Sequence, residues 1–187
     1  MCGIIGYTGY SDARGVLIKG LKTLEYRGYD SSGIALYNKK YNEVLITKCE
    51  GRVARLDEKS VGAKGVTGIG HTRWATHGGV SDINSHPHKF GDVTLVHNGI
   101  IENYEAIKSQ LGIENKLKSQ TDSEVVAALI DYHYNTNENP EKAIIKAVKE
   151  LKGTFALAIM FDDKPDIIYA VRNVSPIVCC KNEEGAY

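Results

Sequence analysis

The sequence predicts an α+β fold built on antiparallel sheet, and three observations predict it. Short apolar runs rich in β-branched residues and amphipathic stretches of helical spacing occur in the same chain, so periods of 2 and of 3.6 are both present. The strand-like runs group together, with pairs of helical stretches between the groups, whereas a doubly wound parallel sheet would alternate them one for one. No internal repeat or low-complexity linker divides the 187 residues, a length that fits one domain with a sizeable core.

Taken in order, IIGY (4–7) reads as a strand, followed by helical spacing in SDARGVLIKGLKTLEYRG, where Val16, Leu17, Leu21 and Leu24 share a face. GIALY (33–37), EVLITK (43–48), VTGIGHT (66–72) and VTLVHN (93–98) read as strands. Helices are predicted in YEAIKSQL, SEVVAALIDYHY and PEKAIIKAVKEL, and strands again in TFALAIMF (154–161) and DIIYAVR (166–172). Thr121 followed three residues later by Glu124 makes a capping box, which puts Asp122 in a first turn where the helix dipole favours an acid. Pro140 suits the first turn of the next helix. After Pro176 a further strand is expected in SPIVCC, with Cys179 and Cys180 packing on its alternate faces. The chain then stops abruptly, and a fragment of something longer is expected.

Composition excludes several classes. Lysine plus arginine and aspartate plus glutamate balance at 23 each, so no net charge recruits nucleic acid or an anionic membrane. No run of 18 apolar residues and no leader of basic then greasy residues is present, so a soluble, cytoplasmic protein is expected. Cys2, Cys49, Cys179 and Cys180 are too few and too irregular for a disulfide framework and read as reduced.

The chemistry concentrates at the start and in the middle. Cys2 is either a small buried hydrophobe opening a strand or, once Met1 is removed, an N-terminal nucleophile. In the second case its α-amine, which titrates near ~7.7 to 8.0, serves as general base for its own thiol. HTRWATHGG (71–79) places Arg73, Trp74, Thr76 and His77 on a loop after a strand. A guanidinium there can grip a carboxylate through two parallel bonds. Asn98-Gly99 is either a plain hairpin turn at a strand exit or an oxyanion hole of side-chain amide and backbone N–H. His71, His77, His86, His88 and His97 raise a zinc site, but no ligand spacing such as HExxH supports it and no metal is assigned. A nucleophile, an oxyanion-hole candidate, a carboxylate clamp and an ammonium partner in Asp122 together suit a zwitterionic amino acid with an electrophilic side chain.

MCGIIGY, LEYRGYDSSGIA, HTRWATHG, NSHPH, HNGIIEN, TDSE and RNVSP, in that order, resemble the N-terminal glutaminase domain of the glucosamine-6-phosphate synthase family, class II glutamine amidotransferases. Glutamine phosphoribosylpyrophosphate amidotransferase and asparagine synthetase share the Cys-Gly-Ile start, but the later motifs are closer to the sugar amidotransferases. The resemblance implies an N-terminal-nucleophile hydrolase fold, four layers αββα, over a single glutaminase domain 1–187, C-terminally incomplete and without sugar isomerase domains. It implies that Cys2 attacks the side-chain amide of glutamine and forms a thioester that water cleaves. Asn98 and Gly99 then form the oxyanion hole, Arg73 and Asp122 hold the substrate carboxylate and ammonium, and Trp74, Thr76 and His77 belong to the glutamine loop. Arg27 and Gly28 border the cysteine in support. No cofactor is implied; the partners are glutamine and the absent isomerase domain, in a homo-oligomer. Two departures stand out: Val174 replaces a glycine, costly if that position needs positive φ, and Val80 replaces a loop proline. The rival reading is a truncated module that binds glutamine without turnover.

Overall fold

The computed structural model describes residues 2–74 and 79–187. The first strand, β1 (Gly3–Gly9), leads into α1 (Ala13–Leu24), which is capped by Asp12 accepting from the Gly15 N–H. Helix α1 buries Ala13, Leu17, Ile18 and Leu21 on one face, each large side chain contributing about 1.5–3 kcal/mol on full burial. Ile18 therefore joins the predicted stripe, while Val16 and Leu24 stay partly exposed. A 3-10 turn at Glu25–Arg27 follows, then β2 (Ser31–Asn38) and β3 (Glu43–Glu50).

Helix α2 (Val53–Lys59) had no sequence signal. Its N-cap, Arg52, gives no side-chain cap; Glu25, 28 residues earlier, accepts from the Val53 N–H at 2.7 Å instead. β4 (Thr67–Arg73), the three-residue β5 (His88–Phe90) and β6 (Val93–Ile101) come next, with β5 and β6 joined across Gly91-Asp92. Three helices follow: α3 (Tyr104–Leu111), α4 (Asp122–Asn137) and α5 (Pro140–Glu150). Among the described residues, β7 (Gly153–Phe161), β8 (Tyr169–Asn173) and β9 (Gly185–Ala186) complete the chain.

The strands form two antiparallel sheets, β3-β2-β4-β1-β9 and β5-β6-β7-β8. Their facing sides enclose Ala35, Tyr37, Val44, Ile69, Val96, Ala158 and Met160. Helices α1 and α2 cover the outer face of the first sheet, with Tyr7, Ile34, Leu36 and Cys49 beneath them. Helices α3 to α5 cover the second. Helix α4 is buried on every side along Val125–Ile130 because α3, α5 and β6 all pack on it, which is why its apolar residues do not form a single stripe. The predicted α+β class with antiparallel sheets is thus the observed one, in four layers αββα.

The C-terminal strand expectation fails. Among the described residues SPIVCC forms no strand: only its last residue, Cys180, exchanges backbone hydrogen bonds, with Tyr187, and both Cys179 and Cys180 are exposed. Pro176 has no N–H for a ladder, and Val174 turns the chain off β8 at φ +71°. The left-handed region costs a side-chain-bearing residue about 1–2 kcal/mol, and β-branching makes it rarer still. Val174→Gly is therefore expected to stabilise the fold by roughly 0.5–1 kcal/mol after the extra backbone entropy of glycine. A thermal melt checks this; an unchanged or lower Tm contradicts it.

Candidate active site

The two sheets bring the start of the chain beside its middle. Gly3 pairs with Thr72 across β1 and β4, which places Cys2 against Arg73 and Trp74 at the end of β4. The Trp74 backbone N–H donates to the Cys2 Sγ at 3.2 Å, and the thiol in turn lies 3.6 Å from the Trp74 carbonyl oxygen. The Cys2 sulfur is therefore not buried core; it is partly exposed and faces a cleft lined by Arg73, Trp74, Gly99, Asp122 and Ser123. Trp74 itself is 47% exposed, with its ring 5.9 Å from that of Tyr29, as the glycine-flanked loop led one to expect.

Asn98-Gly99 is not a hairpin turn. Both residues lie inside β6, opposite Ala156 and Phe155 of β7, and the strand continues to Ile101. Gly99 takes φ +140°, and a Cβ there would sit 1.9 Å from the Thr154 carbonyl oxygen, so only glycine fits. The Asn98 Nδ2 donates to the Cys2 carbonyl oxygen at 3.0 Å, which fixes the amide next to the nucleophile.

Arg73 and Asp122 supply opposite charges at the cleft. Arg73 is 4% exposed and donates to the Gly79 carbonyl oxygen; burial pulls its guanidinium below its ordinary range, and neighbouring Asp30 and Asp122 act against that. Asp122 begins α4, where its Oδ2 accepts from the Ile101 N–H at 2.9 Å and its Oδ1 from the Ser123 hydroxyl. The capping box forms only by half. Thr121 accepts from the Glu124 N–H, but Glu124 reaches past the cap to the N–H groups of Lys118 and Ser119.

Arg27 donates its Nε–H to the Cys2 carbonyl oxygen at 3.4 Å. Gly28 is extended, and a Cβ on it would lie 2.7 Å from the Arg73 carbonyl carbon and 2.8 Å from the Trp74 nitrogen. Its missing side chain lets the 3-10 turn pass directly under the residues that hold Cys2. Thr76 and His77 lie outside the described residues.

The histidines are arranged as packing and hydrogen-bonding groups. The His71 and His86 rings stack 4.1 Å apart, and His88 meets His86 edge on at 4.6 Å. Their nitrogens are directed to Asn98, to the His97 N–H, to Thr121 and to Ser123. Among the described residues no group of three or more His, Cys, Asp or Glu side chains is placed to hold a metal ion. Burial drives His86 and His88 well below the usual histidine range, and takes His71 down to about 3. The segment carrying His86 is held from β3: the Lys48 Nζ donates to the carbonyl oxygens of Ile83, Ser85 and Pro87, and burial lowers its pKa to about 8. Sequence reasoning had no signal for Lys48, and it raised His71 and His86 only as metal ligands.

Stacked antiparallel sheets with a cysteine heading the first strand define an N-terminal-nucleophile architecture. The glutamine amidotransferase domain matches residues 73–186. Glutamine–fructose-6-phosphate aminotransferase [isomerizing] of Clostridium acetobutylicum is 44% identical over 192 residues, 100% of this chain and 31% of that protein. The same enzyme of Thermococcus kodakarensis is 50% identical over 184 residues, 95% of this chain and 30% of that protein. Among solved structures, glutamine phosphoribosylpyrophosphate amidotransferase from B. subtilis superposes with a TM-score of 0.72 at 26% identity, over 87% of this chain and 35% of that one. The chain belongs to the glutamine amidotransferase domain family. It spans about 30% of the length of the curated relatives it matches.

Proposed function

We propose that this chain is a glutaminase domain, residues 1–187, that hydrolyses the side-chain amide of glutamine to glutamate and ammonia. The observation that carries the reading is the convergence of Cys2, Arg73, Asp122 and Gly99 on one cleft, with Asn98 beside the cysteine. Arg73 takes the substrate carboxylate and Asp122 its ammonium, which leaves the side-chain amide toward Cys2. After loss of Met1, the free α-amine accepts the thiol proton and sulfur attacks the amide carbon. The Asn98 amide and the Gly99 N–H stabilise the developing oxyanion. Ammonia leaves with the proton, and water cleaves the thioester to glutamate.

Similarity to the aminotransferases supports a further proposal: the ammonia serves glucosamine-6-phosphate synthesis from fructose-6-phosphate. A sugar isomerase domain is the partner, in a cytoplasmic setting where the Cys2 thiol stays reduced. Among the described residues no helix is long and apolar enough to cross a membrane.

A glutamate-release assay tests the reading with Asn98→Ala. Turnover is expected to fall roughly a hundred- to a thousandfold while glutamine binding survives, the usual cost of one oxyanion donor. Unchanged kcat removes Asn98 from this role.

A further inference from the structure

We propose that His71 is the positioning residue of the oxyanion hole: its Nε2–H holds the Asn98 side-chain amide in the one orientation that presents the NH2 group to the reacting centre. The inference rests on the glutaminase reading of the site.

The hydrogen-bond chemistry leaves one arrangement. His71 Nε2 lies 3.1 Å from the His97 carbonyl oxygen, which can only accept, so Nε2 carries the proton. The same N–H lies 3.1 Å from the Asn98 Oδ1. On the other side of the amide, the Nδ2 donates to the Cys2 carbonyl oxygen, again an acceptor only. An amide turned by 180° would place NH2 against the His71 N–H and oxygen against the Cys2 oxygen, losing both bonds. Among the described residues no other group donates to the Asn98 amide oxygen.

The ring is itself held. His71 is 1% exposed, its Nδ1 is buried without a hydrogen-bond partner, and its face is covered by His86. His86 is fixed in turn, its Nδ1 accepting from the His97 N–H and its Nε2 directed to Ser123 Oγ. A proton on His71 Nδ1 would be a buried charge with Arg73 nearby, so the neutral Nε2–H form persists through the working pH range. His71 does not itself line the cleft; it is proposed to act through its bond to Asn98.

The test is a double-mutant cycle on the full chain together with a nitrogen spectrum of its histidines. His71→Leu keeps bulk without a donor and is expected to lower kcat roughly ten- to a hundredfold, with KM for glutamine little changed, since small misplacements carry such costs. His71→Gln, whose amide nitrogen reaches the Nε2 position, is expected to recover most of the rate. In an Asn98→Ala background, His71→Leu is expected to cost nothing further, because the group it positions is gone. A purely structural role predicts additive losses in that cycle and no recovery by glutamine, and either result overturns the proposal. The nitrogen spectrum of the wild-type chain is expected to show His71 protonated on Nε2 and untitrated from pH 8 to 6. Protonation on Nδ1 overturns the proposal whether or not the chain turns over glutamine, whereas a wild-type chain with the expected spectrum and no glutaminase activity refutes the functional reading alone. If His71→Leu does not fold, the glutamine variant and the spectrum still decide.

Discussion

Cys2→Ala is expected to leave at most about a thousandth of the glutamine turnover while glutamine binding persists. The substitution removes the sulfur proposed to form the thioester, and among the described residues nothing else lining the cleft is a nucleophile of comparable strength. Alanine still permits methionine removal, and Arg73 and Asp122 still flank the cleft, so the charges proposed to hold the amino acid's two ends remain. Residual rate then comes only from binding and from the oxyanion donors. Calorimetric titration with glutamine, alongside the glutamate-release assay, separates the two effects. Turnover within tenfold of wild type removes Cys2 as the nucleophile; loss of binding along with turnover shows that the cysteine organises the cleft as well.

The second large effect is acid lability. His71, His86, His88 and His97 are all buried, and burial lowers the proton affinity of each. The cations of Arg73 and Lys48 add to this, while Asp122 opposes it at His97 alone. A histidine whose folded-state pKa is depressed binds its proton only in the unfolded chain between the two pKa values. Its contribution is therefore intact above the unfolded value near ~6.5 and is lost as pH falls below it, over a window that for His71 extends down to about 3. Each such group costs about 1.4 kcal/mol per pH unit within the window. Several such groups losing their contribution over the same range take away a large part of a total stability on the order of 5–15 kcal/mol. Urea unfolding at pH 7.5, 6.5 and 5.5 is expected to show a steady midpoint above neutrality and a steep fall below 6.5, with native signal gone by about pH 4.5. Equal midpoints at pH 7.5 and 5.5 contradict it.

Much of this was legible in the residues, for reasons that differ from element to element. GIALY, EVLITK and TFALAIMF each became the body of a strand, since β-branched and aromatic residues at period 2 leave little choice. Thr121, Asp122 and Pro140 announced their helix starts through local chemistry. Helix α2 stayed hidden because its cap comes from Glu25, a partner that only the tertiary fold supplies. Asn98-Gly99 looked like a turn because Asn-Gly is the strongest short hairpin signal; pairing with β7 overrode it, and the glycine serves a close backbone approach instead. SPIVCC had strand composition, but among the described residues only its last, Cys180, exchanges backbone hydrogen bonds, with Tyr187.

The site was legible in its polar ends and not in its supports. Cys2, Arg73, Asp122 and Gly99 could each be matched to a task in binding a zwitterionic amide, and they line the same cleft. His71, His86 and Lys48 act through contacts between segments about 10 to 40 residues apart, a relation no local pattern encodes. Val174 is the counter-example: standing where the resembled family has glycine, it raised the condition of a positive φ, and the backbone there is at φ +71°.

The central claim is that Cys2, with its α-amine free, is the attacking group. The most direct measurement is the intact mass of the purified chain before and after incubation with diazo-oxo-norleucine, a glutamine-mimicking electrophile. The account predicts a methionine-free chain that gains a single adduct, mapped to Cys2, and loses glutaminase activity in step with it. An active chain that retains Met1, or a folded and processed chain that takes no adduct on Cys2, contradicts it; the second result would leave a module that binds glutamine without turning it over.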